Sequence, residues 1–225
     1  MQSFDYAGLA YAVPEPLVVA QRRVWELLAR PGSWWTGAER VAIAAQARSA
    51  RAQRTQPAWS RKDFPDSPAG LPQAAVETAR RVAADPQQIE RDWVGQQVAA
   101  LGDAAYVEVV AITVCVCAID SFADALGVAD EPLPAPRTGE PDGARNPAAI
   151  AAGAYVPMQD PWEGPNVARA LSLVPDQGMM FMSLVMQMYG GQNDFFELVW
   201  EEGPLSRPQV ELLAARVSAL NECFY

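Results

Sequence analysis

The sequence predicts an all-α protein, and three observations carry that expectation. Apolar residues recur at helical spacing along most of the chain. The candidate helices open and close on residues that cap and stop helices. No Gly-Xaa-Gly alternation and no strand–helix–strand rhythm occurs anywhere. Antiparallel helices joined by short loops are the arrangement this pattern favours.

The first helix is expected near 15–30, ended by Pro31-Gly32, a turn signal. Thr36-Gly-Ala-Glu39 is a capping box: the Thr hydroxyl accepts from the Glu39 N–H while the Glu carboxylate reaches back, opening an Ala-rich helix over 37–54. Trp34 and Trp35 precede the cap and read as a hydrophobic staple or lid on the core. A loop comes next, then an amphipathic helix over 71–84. Asp85-Pro86 is expected to end that helix and start another over 86–101, because Asp caps and Pro suits the first helical position. Gly102 stops it, and Asp103 is expected to cap the longest helix, 104–126, closed by Gly127. The β-branched residues at 107–119 favour a strand locally, but length, alanine content and two clean ends decide for helix. A methionine-rich helix is expected over 176–189, a short one over Asn193 to Glu202, and a last one over 207–220 opened by Ser206 and Gln209.

Residues 129–161 hold seven prolines and little periodicity, so they divide the chain into an N-terminal helical domain, 1–128, a linker, and a C-terminal part, 162–225. The 225 residues, half of them hydrophobic, suffice for one sizeable core or two small ones. A net charge of −10 argues against a nucleic-acid partner, since phosphate binding needs clustered Lys and Arg. The longest uncharged-looking run, Val107 to Ile119, is broken by Glu108 and Thr113 and falls short of the roughly 18 residues that span a bilayer. With no basic-then-apolar leader at the start, the expectation is a cytoplasmic protein without a membrane partner. Zero histidines exclude a Ser-His-Asp triad, a Cys-His pair and a His-ligated zinc site; no metal or cofactor is expected.

Chemistry concentrates in the last twenty residues, SRPQVELLAARVSALNECFY, where Glu211 and Cys223 stand in a Glu-x11-Cys spacing. A thiol attacks as thiolate, and a nearby carboxylate can relay its protons. One unbroken helix would hold the two about 18 Å apart, too far to cooperate; if they cooperate the helix must break, with Asn221 as the expected place, and the alternative is an ordinary terminal cysteine. The early Glu of an Ala-rich helix occurs twice: ERVAIAAQARSAR from Glu39 lies over ELLAARVSALNEC from Glu211, with three identities, and Arg51 falls on Cys223. This reads as two related halves, the first with arginine in place of cysteine.

Glu211, Cys223, Phe224 and Tyr225 match in order and spacing the start of Glu-x11-Cys-x-x-Cys-x3-His, so the chain resembles the alkyl hydroperoxidase D (AhpD)-like and carboxymuconolactone decarboxylase-like proteins. GPNVARALSLVPD and YVEVVAITVCVCAIDSFADALGV are similar in texture to the same proteins. The resemblance implies an AhpD-like antiparallel helical bundle and a peroxidase, a peroxiredoxin-type antioxidant oxidoreductase. It implies a hydroperoxide substrate, a dithiol protein as reductant, and a homo-oligomer. By position, Cys223 takes the role of the resolving thiol and Glu211 that of the proton-relay carboxylate. The second cysteine and the histidine of the pattern have no counterpart in this sequence. The alternatives are therefore a catalytically inactive relative serving as a structural or interaction subunit, and a decarboxylase of the same superfamily. The expectation at the C-terminus is a longer protein, from a shortened chain, an incomplete gene, or a stop codon read as selenocysteine.

Other candidates have plainer readings. Cys115 and Cys117 point about 200° apart on a helix and sit in an apolar run, so both are expected to be buried and inert. The methionines at 179, 180, 182, 186 and 188 read as core packing first and as an oligomer contact second. The arginines at 48, 51, 54 and 61 read as a solvated helix end, with an anion site as the alternative.

Overall fold

A computed structural model describes residues 4–56, 70–189, 199 and 204–221. Most of the described residues lie in helices: α1 Glu15–Ala29, α2 Gly37–Ala52, α3 Gln73–Ala84, α4 Arg91–Leu101, α5 Asp103–Leu126, α6 Asn166–Arg169, α7 Pro175–Met188 and α8 Arg207–Leu220. The fold is all-α. One small exception to the expectation of no sheet is a two-residue antiparallel ribbon, Ala149–Ile150 against Met158–Gln159. The helix expected near Asn193 to Glu202 lies outside the described residues.

The caps explain most boundaries. Thr36 accepts from the Glu39 N–H at 3.3 Å and donates its own N–H to Glu39 Oε2 at 2.9 Å, so the capping box forms as its residues require. Gly127 closes α5 in the left-handed conformation, φ 69°. Two expectations fail locally. Pro86 opens only a 3-10 turn, Pro86–Gln88, and Asp85 makes no side-chain cap; the chain then extends through Ile89 and α4 starts at Arg91. Asp103 is the first residue of α5, not its cap, with Gly102 at the cap position. Its carboxylate accepts from the Ala104 N–H at 2.8 Å and grips Arg145, which holds its pKa below the usual carboxylate range.

Helix α5 is the axis of the core. Val109, Ile112, Cys115, Val116 and Ile119 bury one face against Leu28 and Val24 of α1, Ile43 and Ala47 of α2 and Ala75 and Ala79 of α3. Tyr106, Val107 and Ala111 bury another face against Val94 of α4 and Leu171, Leu173 and Val174. Each fully buried Leu or Ile here stabilises by roughly 1.5–3 kcal/mol relative to exposure. Taken whole, charges included, α5 is long and apolar enough to cross a membrane, with hydropathy 2.0, but half of that window is buried within the protein. Helix α7 adds Met180 and Leu184 to the same core; Met179 and Met188 on it are exposed.

Residues 129–146 do not hang free between helices. Trp25 Nε1 donates to Pro132 O at 2.9 Å, and Arg137 N donates to Ala29 O at 2.7 Å. Gly143 N donates to Ser33 O at 2.7 Å, and Asn146 N to Leu173 O at 2.9 Å. The segment is a strap laid across the α1–α2 corner and fastened to the turn that leads into α7.

Candidate functional site

Glu211 sits in the second turn of α8. The helix starts where Gln209 Oε1 accepts from the Ser206 N–H at 2.8 Å, the return half of a capping box. Arg207, one turn before Glu211, forms an ion pair with it at 2.6 Å and lies over the Tyr189 ring, 5.4 Å from its centroid. Glu211 is thus a half-exposed carboxylate with a local cation. The helix ends at Leu220, and Asn221 is its C-cap, with Nδ2 donating to Val217 O at 2.9 Å. That is the break expected from the sequence. Cys223 lies outside the described residues.

The other two thiols are set by their surroundings. Cys115 is buried among apolar side chains, and burial pushes its pKa up to about 12. Cys117 is only half-buried, which corrects the expectation of full burial: its position on α5 turns away from the core face. Burial and the Asp120 carboxylate push it up to about 11, against the opposing arginines. Neither is a thiolate near neutral pH, so neither is an attacking nucleophile. Among the described residues no group of His, Cys, Asp and Glu could hold a metal ion.

Among the described residues, a dense polar cluster lies instead in the seam between α2 and α5. Arg40 forms an ion pair with Glu108, both essentially inaccessible, with side-chain exposures of 2% and 0%. Glu108 also accepts from the Trp34 N–H at 2.7 Å, and Arg40 donates to Gln177 Oε1 at 3.3 Å and Leu27 O at 3.4 Å. A Cβ at Gly32 would collide with Glu108 Oε1 and Arg40 Nη1, so the turn before α2 must carry glycine to close over the pair. Further along, Arg48 grips Asp120 with two bonds of 2.8 and 2.7 Å and donates to Glu131 O at 2.9 Å. Arg51 pairs with Asp124 and donates to Ser121 Oγ. The pairs run start to start and end to end, so α2 and α5 lie parallel.

Burial pushes both Glu108 and Asp120 upward, with Arg40 and Arg48 respectively opposing it. Arg40 and Glu108 have essentially no solvent access, and the three ion pairs tie α2 to α5 along their length. The arginines read as a solvated helix end are therefore not simply solvated at 48 and 51: Arg48 is partly exposed and Arg51 buried, and each is taken up by an acid of α5. Sequence reasoning also missed Arg40. The available signal was Glu108 itself, a carboxylate inside an apolar run that must find a cation when buried.

Compared with known proteins, the chain matches no family model, no curated sequence and no solved structure.

Proposed function

We propose that this chain is an AhpD-like helical protein of the thiol-peroxidase type, with Cys223 as its reactive thiol and Glu211 as the carboxylate serving it. The observation that carries the reading is the Glu211–Cys223 spacing on a helix that ends at Leu220. A continuous helix would separate the pair by about 18 Å; a helix ended at Leu220 frees the residues after it from that axis, while the stretch from Glu211 to Leu220 still spans about 14 Å. Elimination adds support, because burial keeps Cys115 and Cys117 protonated. The substrate in this reading is a small hydroperoxide, the reductant a dithiol protein, and the protein a cytoplasmic homo-oligomer. A second reading, an inactive relative acting as an interaction subunit, is favoured by the apolar side chains α8 leaves exposed, Leu212, Leu213, Val217 and Leu220.

Because the sequence lacks the pattern's second cysteine and histidine, turnover by the chain alone is expected to be slow. Native alkylation followed by mass-spectrometric mapping should label Cys223 far faster than Cys115 or Cys117. Whatever organic hydroperoxide the chain consumes with a dithiol should fall to the buffer rate in Cys223→Ser. Equal labelling of the three thiols would sink the thiol reading. A reactive Cys223 with no consumption at all would leave the interaction subunit.

A further inference from the structure

A cleft of about 210 Å³ opens between the ribbon, the α6 turn and the first turns of α7, lined by Trp162, Met179, Met182, Gly178, Gln159 and Ser172 among others. It contains neither Glu211 nor any cysteine, so a ligand bound there is independent of the thiol reading. None of its lining residues is ionisable, and a charged ligand would lose its hydration there without a counter-charge.

Among the described residues, the hydrogen-bond network around the cleft leaves one side-chain donor unused. Asn146 Oδ1 accepts from the Ala148 N–H at 2.9 Å, which fixes the orientation of the Asn146 amide. Its Nδ2 therefore faces outward and donates to Ser172 O and to Gln159, both at 3.0 Å. The Gln159 atom meeting that donor must be its carbonyl oxygen, so the Gln159 NH₂ is turned the other way, with no bond among the described residues. Ser172 Oγ is already engaged, accepting from Gln159 N at 2.8 Å and donating to Arg169 O at 2.6 Å. The walls are the Trp162 indole, tied down by its Nε1 bond to Pro165 O at 3.2 Å, and two methionine thioethers. Both surfaces favour an aromatic ring. Gly178 is a poor helix former placed inside α7, yet a Cβ there would meet only ordinary contacts, Leu171 O at 3.6 Å and Leu171 Cβ at 3.7 Å. Packing within the protein does not demand glycine, and Gly178 is itself part of the cleft lining. An apolar cavity of about 150 Å³ already holds benzene, so a ring with one short substituent fits.

We propose that this cleft binds a small uncharged aromatic molecule bearing one hydrogen-bond acceptor, with the ring between Trp162 and the methionines and the acceptor on the Gln159 NH₂. The probe is acetophenone, with toluene lacking the acceptor and benzoate carrying a charge. The readout is the methionine methyl spectrum of the full chain labelled with methyl-¹³C methionine, assigned through Met179→Leu and Met182→Leu. Acetophenone should move the Met179 and Met182 methyls saturably and leave Met180 and Met188 in place, and benzoate should do neither. Gln159→Leu should weaken acetophenone about fivefold, the factor one neutral hydrogen bond is worth, while toluene binding is unchanged. Gly178→Leu should abolish binding of both. If Gln159→Leu does not fold, the three probes on the native chain still decide. Unsaturable shifts, shifts spread over all methionines, or benzoate binding as well as acetophenone would each overturn the proposal.

Discussion

Helices α2 and α8 begin alike and end in opposite circumstances. Both open on a side-chain cap, both are rich in alanine, and both carry a glutamate early, Glu39 and Glu211. Helix α2 buries nine residues, including Arg40 and Arg51, whereas α8 buries none. With Glu39 laid on Glu211, Arg40, Arg48 and Arg51 fall on Leu212, Leu220 and Cys223. The first two positions through which α2 bonds to the acids of α5 are apolar in α8, and the third aligns with the cysteine beyond it in the sequence. A helix of the α8 kind set against α5 would leave Glu108 and Asp120 buried without their arginines. Local signals therefore make both helices; the long-range charge pairing belongs to α2 alone.

The comparison breaks most visibly at Arg40. Arg40→Ala leaves Glu108 buried and unpaired, and should cost about 3–5 kcal/mol in urea unfolding. Replacing both members, as in Arg40→Met with Glu108→Leu, should recover most of that loss. Burial already raises the Glu108 pKa, and losing Arg40 raises it further. A raised folded pKa contributes stability that is present at low pH and lost as pH rises through it, so the Arg40→Ala deficit should be smaller near pH 4 than at pH 7. No recovery in the double variant would mean that the pair specifies packing that apolar residues cannot replace.

Arg48→Ala should cost less, about 2–3 kcal/mol, because Arg48 is partly exposed and water can reach the vacated side of Asp120. A loss as large as that at Arg40 would show the seam to be uniformly dry.

A smaller effect tests the thiol buried against this seam. The folded pKa of Cys115, about 12, lies above its ordinary value of 9, so the unfolded chain gives up the proton first and stability falls as pH rises above 9. The loss should reach about 1.4 kcal/mol by pH 10 relative to Cys115→Ala, whose own cavity cost is independent of pH. Parallel pH profiles for the two proteins would remove the burial argument.

The smallest effect belongs to α8. Glu211→Ala should change stability by no more than about 0.5 kcal/mol, the range of an ion pair one helical turn apart whose acid faces water. If Glu211→Ala destabilises by as much as Arg48→Ala, α8 is held by contacts beyond those described.

The same contrast explains which features were legible in the sequence. Caps and stops are local, so Thr36, Gly127 and Ser206 marked their boundaries correctly, and the break at Asn221 was visible in the loss of helical pattern. Pro86 misled because a cap-and-proline signal competes with the chain direction needed to lay Ile89 against the second core cluster. The arginines misled for a deeper reason: whether Arg48 and Arg51 meet water or acid depends on α5, some seventy residues away, and on its running parallel to α2. Charge composition records how many acids there are, not which helix face they reach.

By composition, the strap between α5 and the ribbon is the stretch a protease should cut first. Yet its prolines at 132, 134 and 136 offer no N–H to exchange, and the N–H groups of Arg137 and Gly143 are already donated to Ala29 and Ser33. Arg48 holds the Glu131 carbonyl from the other side. A protease must draw several residues into an extended cleft, and here it would have to strip those bonds from two helices at once. The strap should therefore come through limited digestion uncut, keeping α5 and α7 on a single fragment.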